Sequence, residues 1–211
     1  MTPSEFVETL RRLDFESTFN PYSDHCSIYD HKDAPRRRCE ALLSILKAAA
    51  TSEIDSLWIG RELGHRGGRR TGLALTDDVH LAAHAKRWGA RIERSTKGDA
   101  MAERTAAVIW GVLVQIDVSV FLWNVFPLHP HEAENPFSNR AHNAYERRIG
   151  EDLLCQLIFL LKPRRLVPIG NNAASTARRL CANEEVIQVR HPSYGGQNKF
   201  LRQTHELYNL H

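Results

Sequence analysis

The sequence predicts an α/β fold, a three-layer α/β/α sandwich around a central four-stranded parallel sheet. Four short apolar segments have the length and composition of strands that are buried on both faces. Helical patterns separate these segments, and strands that alternate with helices form parallel sheets covered on both sides. With 211 residues, of which 42% are hydrophobic, the chain is expected to form a single domain, residues 1–211.

A helical segment precedes each predicted strand. The pairs, in chain order, are PRRRCEALLSILKAAA before strand 56–61, AMAERTAAVIWGVLVQI before strand 118–125, NRAHNAYERRIGEDLLCQLIFLLK before strand 165–170, and NAASTARRLCA before strand 185–191. Residues 1–50 are expected to form a helical extension packed on the domain. Residues 18–35, which are rich in Pro, Asp, His and Ser, have the composition of a surface loop.

Composition and charge favour a protein of the cytoplasm. The N-terminus MTPSEFVETLRR lacks the basic start and apolar run of a signal peptide. The four cysteines are scattered along the chain, which favours reduced thiols over a disulfide scaffold. A net charge of +3 and a pI near 8.7 are compatible with a basic patch, but they are too mild to prove a nucleic-acid partner.

The apolar stretch from residue 106 to residue 126 is about as long as a membrane span. Gln115, Asp117 and Asn124 interrupt it, and a central Asp costs roughly 2.5–3.5 kcal/mol on membrane insertion. The stretch is therefore predicted to be a buried helix that runs into a buried strand, and no membrane association is expected.

Parallel sheets place their sites beyond the carboxyl ends of the strands. This rule selects four loops, which are GRELGHRGGRRTGLALTDD, NVFPLHPHEAENPFSN, GNNA and RHPSYGGQNKF. The first loop combines five glycines with four arginines, which suits close backbone approach to a phosphate and equally suits a solvated turn. Glu62, one step past a strand, either orients water or faces a developing positive charge, or else pairs with a neighbouring arginine.

Two further polar residues follow strands. Asn124 lies near the end of an otherwise apolar strand, so its amide needs partners or costs about 1–3 kcal/mol; capping of a nearby loop is the alternative interpretation. His191 ends the fourth strand and is positioned to donate to an oxygen that gains negative charge, although a lone histidine is more often structural. Asn171 and Asn172 are assigned to helix capping.

Together these loops resemble the uracil-DNA glycosylase superfamily, in a divergent bacterial-type branch without an iron-sulfur cluster. The classical family opens its water-activating loop with Gly-Gln-Asp-Pro-Tyr-His and closes it with Gly-Leu-Ala-Phe, where this chain has GRELGH and GLAL at the same spacing. FLWNVFPLHP resembles the segment with the uracil-binding Asn, and RHPSYGGQNKF resembles the His-Pro-Ser loop. The resemblance implies that Glu62 takes the place of the catalytic aspartate, Asn124 binds uracil and His191 acts on the leaving group.

Several positions depart from the family pattern. Gly64 stands where the classical family has a tyrosine that excludes thymine, and Leu75 replaces the phenylalanine that stacks on the base. Gly195 lies where the intercalating leucine is expected, which leaves Tyr194 or Gln197 as the wedge. Leu128 replaces a cysteine of the iron-sulfur branch, so neither a cluster nor any other cofactor or metal is expected.

The implied reaction is hydrolysis of the N-glycosidic bond of uracil in single- or double-stranded DNA, after the nucleotide is flipped out. The alternative is a non-catalytic or broader-specificity binder of damaged or abasic DNA, and a nucleotide phosphohydrolase is disfavoured because no carboxylate cluster for Mg²⁺ is evident. A monomer is expected. The residues expected to bind uracil are Asn124, Gly60, Arg61, Leu75, His65 and Phe126. The residues expected to contact DNA are Arg66, Arg69, Arg70, Ser193, Tyr194, Gly195, Gln197 and Lys199.

Overall fold

The structure, a computed structural model, describes residues 1–180 and 185–210. Cys181 and the end of the helix predicted over NAASTARRLCA lie outside the described residues. The helices are α1 (Pro3–Arg11), α2 (Ala34–Ala50), α3 (Gly68–Thr71), α4 (Leu81–Arg87), α5 (Arg104–Leu113), α6 (Ala144–Leu161), α7 (Asn171–Leu180) and α8 (Gln197–Tyr208). The strands are β1 (Thr18–Phe19), β2 (Ser56–Glu62), β3 (Val120–Phe126), β4 (His129–Pro130), β5 (Arg165–Pro168) and β6 (Glu185–Val186).

The central sheet is parallel and has the strand order β3-β2-β5-β6. This arrangement confirms the predicted fold class and the predicted positions of the four strands. The fourth strand is shorter than predicted, because its regular pairing with β5 ends at Val186. Beyond that point an isolated bridge joins Ile169 and Val189. In the register of β2 and β3, Gly60 lies opposite Asn124, which brings two predicted site residues together.

Alternating side chains along the strands build two cores, one on each face of the sheet. Leu57 and Ile59 face the core formed with α1, α2, α6 and α7. Trp58 and Val167 face the core formed with α5 and α8. Phe6, from the N-terminal helix, is fully buried in the first of these cores. The sheet is therefore covered by helices on both sides, and its carboxyl edge stays accessible.

The apolar stretch around residues 106–126 is a buried helix followed by a buried strand, as predicted. Helix α5 ends at Leu113, and every residue of β3 is buried. Within residues 1–180 and 185–210, no helix has the length and apolar character needed to cross a membrane.

The prediction of a surface loop over residues 18–35 was wrong for much of its length. Phe19 pairs with His129 in a small antiparallel sheet formed by β1 and β4. Tyr22 is buried and donates to the carbonyl of Gly72, and the buried Asp30 forms an ion pair with Arg38. These long-range contacts give the polar residues of the segment internal partners, which composition alone does not reveal.

Candidate active site

The loops at the carboxyl edge of the sheet enclose a cleft of about 480 Å³. Its wall includes Glu62 at the end of β2, Gly170 after β5 and His191 from the chain that follows β6. The order of the strands thus brings together two residues, Glu62 and His191, that are far apart in the sequence. Asn171 and Asn172, which the sequence assigned to helix capping, also lie in this wall at the start of α7.

The Glu62 carboxylate is held by two neighbours. Its side chain is 7% exposed, and Oε1 accepts a hydrogen bond of 2.5 Å from Arg61 Nε. Oε2 lies 3.1 Å from Nδ1 of His142, whose side chain is 9% exposed. Both oxygens are therefore fixed in direction at the end of β2. Charged and aromatic groups on the two sides leave the carboxylate little rotational freedom.

His142 is a site residue that the sequence analysis did not identify. It lies just before α6, eighty positions along the chain from Glu62. Its ring packs against Phe126, with 6.1 Å between the ring centroids, which orients the imidazole toward the carboxylate. No local pattern marks this histidine, because its role depends on a contact between distant segments.

His191 has a defined tautomer in its neutral form. The backbone N–H of Ser193 donates to His191 Nδ1 at 3.2 Å, and the Ser193 hydroxyl lies 2.7 Å from the same atom. Because a backbone N–H can act only as a donor, Nδ1 is the acceptor and the proton of the neutral ring resides on Nε2. Burial, reinforced by the charges of Arg61 and Arg190, lowers the pKa of His191, while Glu62 opposes this effect. At neutral pH the imidazole is therefore neutral, and its Nε2–H has no hydrogen-bond partner among residues 1–180 and 185–210.

Asn124 is 1% exposed, and neither Oδ1 nor Nδ2 of its amide hydrogen-bonds another described residue. The amide lies directly beneath Gly60, where a Cβ would come within 2.3 Å of Asn124 Oδ1. Gly60 itself lines the cleft, so the amide is separated from the cleft floor by a residue without a side chain. A larger residue at position 60 would displace the amide.

The side chain of Leu75 lies next to Gly60, over the Asn124 amide. One of its methyl carbons lies 3.0 Å from the position of a Cβ on Gly60, and its side chain lines the cleft. The Leu75 backbone is left-handed, with φ of 54°, and its carbonyl accepts a bond of 3.1 Å from Trp110 Nε1. This strained conformation is the one in which Leu75 closes over the amide.

Of the other residues expected to bind uracil, only some line the cleft. Gly60 and Arg61 line the cleft. Phe126 is fully buried and packs against Phe15, so the expected base contact is corrected to a core position. His65 lies outside the cleft wall; burial lowers its pKa, and its backbone N–H donates to Asn139.

The residues expected to contact DNA differ sharply in exposure. Those with exposed side chains or backbone are Arg66, Tyr194, Gly195 and Lys199, whereas Ser193 and Gln197 are half-buried. Tyr194 stands out, because it is 97% exposed, lines the mouth of the cleft and has a left-handed backbone with φ of 51°. Its ring therefore projects from the protein surface beside the cleft.

Two arginines are corrected. Arg69 is 4% exposed and donates to Tyr29 and to the carbonyl of Pro136, and its guanidinium stacks on Phe19. Arg70 is 6% exposed and forms an ion pair of 2.7 Å with Asp78. Internal partners satisfy both groups, so they hold the glycine-rich loop in place and do not reach phosphate.

Glu103 also lines the cleft, and no pattern in the sequence marks it as a site residue. It precedes α5, and burial raises the pKa of its carboxyl to about 7, with Asp77 adding to the effect and Arg66 opposing it. Across the described residues, no three side chains of His, Cys, Asp or Glu are grouped in a way that could hold a metal ion. The groups that line the cleft include carboxyl, imidazole and amide side chains.

Comparisons with known proteins find similarity at the level of structure. No protein-family model matches the chain, and no curated protein matches it. The crystal structure of wild-type Pedobacter heparinus SMUG2 is similar, with a TM-score of 0.66 and 13% sequence identity. The superposition covers 99% of this chain and 96% of that one. This chain and SMUG2 therefore share one fold over essentially their whole lengths.

Proposed function

We propose that the protein is a DNA glycosylase that hydrolyses the N-glycosidic bond of uracil in DNA and leaves an abasic site. The observation that carries this proposal is Asn124, whose buried amide has no hydrogen-bond partner among the described residues and lies beneath the cleft floor at Gly60. An unpartnered buried amide costs about 1–3 kcal/mol, so its retention favours a ligand that supplies the missing bonds. The shared fold with SMUG2, a protein of the uracil-DNA glycosylase superfamily, supports the same function.

The amide of Asn124 matches the Watson–Crick edge of uracil. Its oxygen accepts from N3–H and its nitrogen donates to O4, whereas cytosine presents the opposite pair of groups. Leu75 must rotate away from Gly60 for a base to reach the amide, because its side chain occupies the same space. Base entry is thereby coupled to a rearrangement of one side chain.

In this proposal Glu62 and His191 break the bond. Departure of the base leaves an oxocarbenium-like sugar and a uracil anion. The Glu62 carboxylate, fixed by Arg61 and His142, stabilises the developing cation and orients the attacking water. The Nε2–H of neutral His191 donates to O2 of uracil, where the negative charge accumulates. No step of this mechanism requires a metal ion.

The base must leave the duplex before it can enter the cleft. Tyr194 is the side chain best placed to fill the gap in the stack, because its ring is exposed at the cleft mouth and its backbone conformation directs it outward. Arg66 and Lys199 are exposed and supply positive charge for the DNA backbone.

The proposal is tested by excision from DNA that contains a single uracil, thymine or hypoxanthine, with EDTA present. We expect uracil excision by the wild type, and its loss in Glu62→Gln and His191→Ala. The exposed-site variants Glu206→Gln and His25→Ala are matched controls and should retain full activity. Absence of excision by the wild type, together with retained binding to abasic DNA, would refute the enzyme and favour a damage-binding protein.

A further inference from the structure

The carboxyl group of Glu103 forms part of the cleft wall, and the mechanism above does not use it. Its side chain reaches the loop that follows β2. A Cβ on Gly64 would lie 2.5 Å from Glu103 Oε1, and a Cβ on Gly67 would lie 2.1 Å from Oε2. The carboxyl therefore occupies the space that side chains at positions 64 and 67 would otherwise fill. The backbone of both glycines prevents the carboxyl from moving further in that direction.

This carboxyl is positioned by the backbone but has no polar partner of its own. The Glu103 N–H donates to Asp77 Oδ2 at 2.6 Å, which fixes the residue at the start of α5. No hydrogen bond or ion pair joins the carboxyl to another described residue. Its pKa of about 7 reflects this desolvation. Apolar atoms that cover its remaining accessible side would leave the carboxyl without any hydrogen bond, which is unfavourable.

The geometry of the pyrimidine ring places its C5 atom next to the part of the cleft wall formed by Gly64 and the Glu103 carboxyl. C5 lies across the ring from C2, so a base whose O2 faces His191 directs C5 away from that histidine. In the sheet, β5 separates the chain that leads to His191 from β2, which leads to Gly64. The wall on the β2 side is built by Gly64 and the Glu103 carboxyl.

We infer that the Glu103 carboxyl is the specificity-determining wall that rejects a methyl group at C5, so that uracil is accepted and thymine is excluded. The inference rests on the proposed function, from which it takes the orientation of the base. The C5–H of uracil leaves the carboxyl accessible to solvent. The methyl of thymine would collide with a carboxyl that Gly64 and Gly67 hold from behind, and it would cover the group without giving it a hydrogen bond.

The test compares excision of uracil and thymine by the wild type, Glu103→Ala, the double variant Glu103→Ala with Gly64→Tyr, and the exposed-site control Glu206→Ala. We expect Glu103→Ala to lower the uracil-to-thymine ratio of kcat/KM by at least about tenfold, the lower end of what one methyl group contributes to discrimination. The tyrosine should restore the ratio, because its ring fills the space that the carboxyl vacates. An unchanged ratio in an active Glu103→Ala protein overturns the inference.

Binding measurements distinguish failure of this inference from failure of the proposed function. Duplexes carrying 2′-fluoroarabino-uridine or 2′-fluoroarabino-thymidine resist cleavage and report recognition without chemistry. In one outcome, the wild type excises no base but binds the uridine duplex more tightly than the thymidine duplex, and Glu103→Ala loses this preference. The proposed enzymatic function is then refuted, and the role of Glu103 in discrimination is supported. If excision of uracil is observed but Glu103→Ala changes neither binding nor excision ratios, the proposed function stands and the wall is refuted.

Discussion

Replacing Asn124 by leucine should increase the stability of the fold and abolish the proposed activity. The two side chains have similar length, and leucine has no polar atoms to satisfy. In the wild type, the Asn124 Oδ1 and Nδ2 atoms are buried and have no partner among the described residues. An unsatisfied buried group costs about 1–3 kcal/mol, and replacing it by an apolar group of similar shape recovers that free energy.

We therefore expect Asn124→Leu to raise the free energy of unfolding by about 1–3 kcal/mol. For a chain of this size each kcal/mol corresponds to roughly 2–4 °C in Tm. The same substitution removes the acceptor and the donor for the Watson–Crick edge, so uracil excision should be abolished. Thermal unfolding and single-turnover excision from uracil-containing DNA measure the two effects on the same protein.

Asn20 provides a matched control. It is also buried, but its amide donates to the carbonyls of Leu10 and Leu13 and accepts from the N–H of Tyr22. Asn20→Leu should destabilise the protein by leaving these partners unpaired. A lower Tm for Asn124→Leu, similar to that of Asn20→Leu, would show that the Asn124 amide is satisfied within the fold and would refute the reasoning.

Three further predictions concern the site and the pH dependence of stability. Gly60→Ala places a Cβ 2.3 Å from Asn124 Oδ1 and should reduce uracil excision at least about tenfold, the effect of one lost binding hydrogen bond, while circular dichroism shows an intact fold. His142→Phe removes one hydrogen bond from Glu62, and we expect kcat to fall about tenfold with KM unchanged; a change in KM alone would argue against a positioning role. Burial lowers the pKa of His84 to about 3, so the unfolded chain takes up a proton at this residue below pH 6.5 and the folded protein does not. Stability should therefore fall from pH 6.5 toward pH 3, and urea unfolding at pH 7 and pH 5 should show a smaller difference for His84→Gln than for the wild type.

The sheet could be predicted from the sequence because each strand is a contiguous segment whose composition favours a strand. VFLWNVF and SLWIGRE carry apolar side chains on both faces, and that composition occurs where helices cover both sides of a sheet. The position of the cleft followed as well, because carboxyl ends of parallel strands share one edge. The roles of Glu62, Asn124 and His191 in catalysis stay predictions, which the excision experiments test.

Burial of charged loop residues could not be predicted in the same way. Arg69 and Arg70 lie in a glycine-rich, basic segment whose composition suits an exposed phosphate-binding loop. Tyr29, the partner of Arg69, lies forty positions away in the chain. Asp78, the partner of Arg70, lies eight positions further along the same loop. Only the folded structure brings these pairs together. The same reason explains why the composition of residues 18–35 wrongly predicts a surface loop.

The sequence by itself determined which segments form the sheet and which polar residues stand at its carboxyl edge, since periodicity and strand length are local properties of the chain. Tertiary structure decided what surrounds those residues. His142 contacts Glu62 across eighty positions, and Glu103 fills the space left by Gly64. Such contacts depend on how distant segments pack, and packing leaves no periodic signal in the sequence of either segment.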